Sequence, residues 1–136
     1  MKIIKITDWN HISIHDYPEG HEYENEILCE LIEDCDLFEH VMPRRLYNEL
    51  GAPNEPAEGV SILIDEEGRL KAKDINLVGS FLYESDIHNN PIVGNLLVVG
   101  ECWKDGDIAF CGLTEEQFDL LYPQLEALVR KAAKQN

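Results

Sequence analysis

Two short runs near the start of the chain, Lys2–Ile6 and residues 11–17, alternate or run apolar with β-branched residues, and Asp8-Trp9-Asn10 separates them. Period-two patterning around a polar break predicts two N-terminal strands joined as a hairpin. Pro18-Glu19-Gly20 then ends the pair. Over residues 21–34 the rhythm changes. Tyr23, Ile27, Leu28, Leu31 and Ile32 recur at helical spacing, with Glu22, Glu26, Glu30 and Glu33 on the opposite side. The spacing predicts a helix over 21–34 that buries Ile27, Leu28, Leu31 and Ile32 and turns Glu22, Glu26 and Glu30 to solvent.

Residues 36–50 read two ways. Leu37, Phe38, Val41, Leu46 and Tyr47 suit either a strand interrupted around Pro43 or a short second helix; the strand through Val41 is preferred. Residues 52–59, with two prolines and a glycine, predict an exposed loop. Val60–Asp65 is a clean apolar strand, Glu66-Glu67-Gly68 a turn, and residues 69–73 a polar return. Residues 74–85, with Ile75, Leu77, Val78, Phe81 and Leu82, form a short helix or an irregular buried segment. Residues 92–103 are the most hydrophobic stretch and predict the central strand, hairpinned through Lys104-Asp105-Gly106-Asp107 onto residues 108–111.

The C-terminal helix has the clearest start and stop signals. Thr114 and Gln117 make a capping box, Glu115 and Glu116 sit in the first turn, and Arg130, Lys131 and Lys134 crowd the last. Pro123 inside the pattern is expected to kink the helix or to split it into residues 115–122 and 124–134. The whole chain reads as a single α+β domain over 1–136. A mostly antiparallel sheet carries helices on one face and ends in that C-terminal helix.

Composition narrows the function classes. With 136 residues and 44% hydrophobic content the chain is one domain, able to bury roughly two thirds of its unfolded surface. Eleven basic against 27 acidic residues give a net charge of −16, which excludes direct binding to nucleic acid or anionic membrane, since those partners are held by neutralising phosphates. A nucleotide in a local pocket is still compatible with that charge. Residues 1–9 lack the apolar core of a secretion signal, and Leu96 to Val99, the longest apolar stretch, is too short to span a bilayer. The expected location is the cytoplasm of a bacterial host.

Catalytic and metal-binding patterns are thin. His11-Ile12-Ser13-Ile14-His15-Asp16 puts two imidazoles and a hydroxyl on one side of a strand, but residues four apart in a strand stand about 13 Å from each other at ~3.3 Å per residue. One metal at ~2.1 Å from each nitrogen does not bridge that gap. Cys29, Cys35, Cys102 and Cys111 have no C-x-x-C spacing and read as free thiols of a reducing compartment. Asp65-Glu66-Glu67-Gly68 is explained as turn chemistry, and neither glycine-rich phosphate motif is present. No catalytic residue, cofactor site or metal site is assigned, and a binding protein is expected rather than an enzyme.

Charge is the strongest signal left. Between Lys5 and Arg44 there are eleven carboxylates and no lysine or arginine. Within that run Glu22, Glu26 and Glu30 recur at i, i+4, each step about 6 Å along a helix axis. Like charges so placed weaken a helix by roughly 0.2–0.5 kcal/mol per pair. The step matches the separation of consecutive phosphates on a nucleic-acid strand. A ridge of Glu22, Glu26 and Glu30 continued by Glu33, Asp34 and Asp36 therefore suits a basic cleft built for DNA; the alternative is a solvated helix face kept for solubility.

The strings Leu63-Ile64-Asp65-Glu66-Glu67-Gly68-Arg69-Leu70, Asn76, Ile92-Val93-Gly94-Asn95-Leu96-Leu97-Val98-Val99-Gly100 and Leu113-Thr114-Glu115-Glu116 are similar to those of a family of small acidic proteins from phages, plasmids and mobile elements, catalogued as a domain of unknown function. The resemblance covers roughly residues 27–118. Asn95 stands where that family often has Asp. What the resemblance implies is an accessory protein that acts by stoichiometric binding, such as an inhibitor of host defence. The partner would be a basic host protein of the DNA-handling kind, bound through the acidic face. Alternatives are a sponge that sequesters a nucleotide near residues 69–76, or an enzyme with an unrecognised site.

Overall fold

The computed structural model describes every residue except His21, Pro56 and Asn136. Its elements run β1 (Lys2–Ile6), β2 (Ile12–Asp16), α1 (Glu24–Ile32), β3 (Phe38–Val41), α2 (Arg44–Asn48), β4 (Val60–Asp65), α3 (Leu77–Leu82), α4 (Ser85–His88), β5 (Leu96–Lys104), β6 (Asp107–Cys111) and α5 (Glu115–Ala133). The strands form one antiparallel sheet in the order β2-β1-β5-β4-β3, with β6 paired to β5. β5 is the hub. Its first half lies against β1, Ile6 opposite Leu96 and Ile4 opposite Val98, and its second half against β6, Gly100 opposite Cys111. The α+β class and the central apolar strand follow the sequence pattern.

The expectation that the helices share one face is corrected. Ile4, Ile6, Ile62, Ile64, Leu96 and Val98 point to one side and pack with Leu82, Leu121, Leu125 and Val129 of α3 and α5. The alternate residues Ile3, Leu63, Leu97 and Val99 point to the other, where Leu28 and Ile32 of α1 cover them together with Tyr17. The cause is in the strands: all six residues of β4 and the first five of β5 are buried, so both faces need a helical layer.

Local differences also have physical reasons. α1 begins at Glu24, so Glu22 and Tyr23 lie in the preceding turn, and the expected start at His21 falls outside the described residues. Cys29 is buried with Leu28 and Ile32, whereas Ile27 and Leu31 are only half-buried. α1 stops at Ile32 because Glu33 and Asp34 both adopt positive φ, 76° and 48°. Both readings of residues 36–50 are realised in succession, since Pro43 separates β3 from α2. The described residues of 52–59, all but Pro56, form the expected loop, although Ala52 and Gly59 at its ends are buried. Residues 69–73 make no return strand; they stay in turns because Lys71 and Lys73 point back to Asp65.

α5 is a single helix of 19 residues with its capping box formed; Pro123 does not split it. Proline removes the bond to the carbonyl of Asp119, an exposed residue. One residue on, the Gln124 side chain donates to the carbonyls of Leu120 at 2.8 Å and Leu50 at 3.1 Å. The buried stripe Leu121, Leu125, Val129 and Ala132 runs through both halves. No described helix is long and apolar enough to cross a membrane.

Candidate functional site

The acidic run folds into two parts with different chemistry. Glu26 and Glu30 stand one turn apart on the outer side of α1, and Glu22 leads into them from the preceding turn. All three are exposed, and no described residue forms an ion pair or hydrogen bond with their carboxylates. Asp36 is likewise exposed and unpaired. Glu33 and Asp34, expected to continue the ridge, are exposed as well but carry partners. The Glu33 carboxylate takes the Lys5 ammonium at 2.6 Å and the Asn95 amide at 3.1 Å, and Asp34 lies 3.9 Å from Lys71. Lys5 and Lys71 thus offset the charge at that end, while Glu26 and Glu30 on the helix have no such partner among the described residues.

Beneath that end lies a buried ion cluster. The Asp65 side chain has no exposure and is bonded by Lys71 at 2.9 Å and Lys73 at 2.8 Å. Burial pushes its carboxyl up, but the hydrogen bonds from Lys73 and Lys71 outweigh this and hold it below the usual carboxylate range. Lys73 also donates to the carbonyls of Glu33 at 3.0 Å and Asp34 at 2.8 Å, and Lys71 to that of Asp34 at 2.7 Å. The positive-φ residues that end α1 are therefore tied to β4.

Two buried or half-buried asparagines, Asn76 and Asn95, make similar tie points. Asn76 is fully buried: its side-chain amide donates to the carbonyls of Ile6 at 3.1 Å and Gly94 at 2.9 Å, and its oxygen caps α3 through Gly79 N–H at 2.9 Å. Asn95 accepts from Asp8 N–H at 3.2 Å and donates to the Ile32 carbonyl at 2.9 Å. These roles join segments distant in sequence. The one legible signal for them is a polar residue set in an otherwise apolar stretch.

The remaining chemistry is dispersed. Ser13 Oγ lies 2.8 Å from His15 Nε2, whereas His11 stacks on Trp9 with ring centroids 5.0 Å apart. Burial, then the nearby Lys5 charge, lowers the His15 pKa, and no described carboxylate bonds its other ring nitrogen. Cys29 and Cys35 face each other with 3.2 Å between sulfurs. Burial and the bond to Cys29 push the Cys35 thiol up to about 12, and burial and the bond to Cys102 do the same for Cys111. That direction is opposite to the one an activated thiolate requires. Among the described residues no group of three or more His, Cys, Asp or Glu is placed to hold a metal ion.

Clefts also open on the surface. One of about 760 Å³ lies between the start of α5, Gly51, Pro53, Ala57 and Glu58, the β5–β6 hairpin, and Tyr17, Glu19 and Glu24. Another of about 470 Å³ is bordered by Arg44, Arg69, His40 and Tyr83; there Arg69 donates to the Asn90 side chain at 3.2 Å and the Pro91 carbonyl at 3.0 Å. No family model, curated protein or solved structure matches this chain.

Proposed function

We propose that the protein is a non-enzymatic accessory factor of a phage or mobile element. It acts in the cytoplasm of a bacterial host by stoichiometric binding to a basic, DNA-handling host protein, and thereby inhibits host defence. The surface offered is Glu22, Glu26, Glu30 and Asp36. The observation that carries this reading is the unpaired state of those carboxylates, Glu26 and Glu30 on α1 and Glu22 and Asp36 flanking it, with the other side of the helix fixed to the sheet by Leu28 and Ile32. A like-charged row costs stability and is kept at full charge, while nearby Glu33 and Asp34 are neutralised by lysines.

The sponge reading has less support at its own segment. Lys71, Lys73 and Asn76 are engaged in internal bonds, which leaves Arg44 and Arg69 beside the smaller cleft as its cations. The test is competition. A host protein captured on the immobilised chain should be released by duplex DNA, and its affinity should fall about tenfold or more between ~0.05 and ~0.5 M salt, as exposed charges are screened. A partner that DNA does not displace and salt does not weaken would refute the reading.

A further inference from the structure

The acidic ridge leaves the 760 Å³ cleft unused. Its walls are largely apolar, with Tyr17, Pro53, Phe110 and Leu120 among them. Five carboxylates, Glu19, Glu24, Glu58, Glu101 and Glu116, face two cations, Lys104 and the Met1 ammonium, which lies 3.9 Å from Glu19. Lys104 stands 3.9 Å from Glu24, which also accepts the Tyr17 hydroxyl, so the cleft's one lysine is already matched by a carboxylate. Glu101 comes in half-buried from β5. Ser61 Oγ holds its Oε2 at 3.2 Å, and its Oε1 passes so close over Gly59 that a Cβ there would fall 2.4 Å away. No described donor bonds that second oxygen.

Apolar walls with carboxylates among them fit a side chain that has an apolar stem and a cationic head. A phosphate or an acidic peptide is repelled. Arginine fits better than lysine, because its planar fork can bond a carboxylate in bidentate fashion. The hairpin adds a further contact: Trp103 and Ile108 face each other in register one pair beyond the Cys102–Ala109 pair, two residues along from Glu101 and Phe110 and on the same side. They are 64% and 47% exposed. A guanidinium stacks on an exposed indole of this kind. Glu24 and Lys104 also border a third, smaller depression together with Glu22 and Glu26, so the cleft runs on into the acidic ridge.

We propose that the cleft is an anchor pocket for an arginine of a basic peptide segment in the partner, seated among Glu58, Glu101 and Glu116 while neighbouring basic residues lie along Glu22, Glu26 and Glu30. The proposal rests on the basic-partner reading of α1 and adds to it the class of segment bound. The test is an amide-resolved NMR titration of the intact chain with acetylated hexa-arginine, beside spermidine. Hexa-arginine should shift Cys102, Phe110, Gly112 and Gln117 as well as α1, and Glu101→Gln should weaken it about tenfold. Glu58→Gln with Glu116→Gln, both at exposed positions, should weaken it similarly and keeps the test intact if Glu101→Gln disturbs β5. Shifts confined to residues 22–36, or cleft variants that bind undiminished, overturn the pocket and leave the α1 reading standing. Cleft shifts that survive charge reversal of Glu22, Glu26 and Glu30 with no loss of affinity overturn the α1 reading instead. Spermidine binding the cleft as tightly as hexa-arginine overturns the peptide assignment.

Discussion

Asp65 decides where the acidic helix ends. It closes a mostly apolar strand, and Lys73 joins it to the carbonyls of Glu33 and Asp34 beyond the last turn of α1. Removing one partner of a buried ion pair leaves the others uncompensated, so Asp65→Asn should lower stability by about 3 kcal/mol in urea unfolding. The pH dependence has a definite sign. A carboxyl held below its unfolded value of about 3.9 contributes stability that is complete above that value and is lost as pH falls through the depressed folded value. The gap between wild type and Asp65→Asn should therefore be constant from neutrality down to about pH 4 and narrow below it. In the sequence Asp65 reads only as a turn residue. Two lysines, six and eight positions on, are the trace of its role, but no periodicity links them, because the contact depends on a turn reversing the chain.

At the scale of elements, patterning located most strands and helices, while the layer each helix joins depended on three dimensions. The helical spacing of residues 27, 28, 31 and 32 says that one side of α1 is apolar; it does not say which face of the sheet receives it. That information lies in β4 and β5, whose runs of consecutive buried, mostly apolar residues already require cover on both sides. Pro123 is the clearest case of tertiary context overriding local propensity. The stripe Leu121, Leu125, Val129 and Ala132 holds α5 together across it. Pro123→Ala restores an N–H that can reach the Asp119 carbonyl, and should raise stability by about 1 kcal/mol, read as a higher denaturant midpoint with unchanged slope. A lower midpoint would mean that the bonds from Gln124 to Leu120 and Leu50 need the proline geometry.

For the molecule as a whole, a net charge of −16 is unevenly distributed. Lysines offset the carboxylates at Asp65, Glu33 and Asp34, and the uncompensated charge remains on the outer side of α1 and around the large cleft. The anionic run was fully legible in the sequence; its division into a neutralised end and a free end was not, because Lys5, Lys71 and Lys73 reach it only through the fold. The free end carries the central claim. The most direct measurement is the affinity, at low salt, of a partner captured from bacterial lysate for wild type and for E22K/E26K/E30K, with circular dichroism as the check on folding. All three positions are exposed and unpaired, so reversal relieves repulsion within the row and the fold should persist. The predicted result is an unchanged spectrum with binding weakened at least about tenfold. A folded variant that binds as tightly as wild type would contradict the account and leave the acidic helix a solubilising surface.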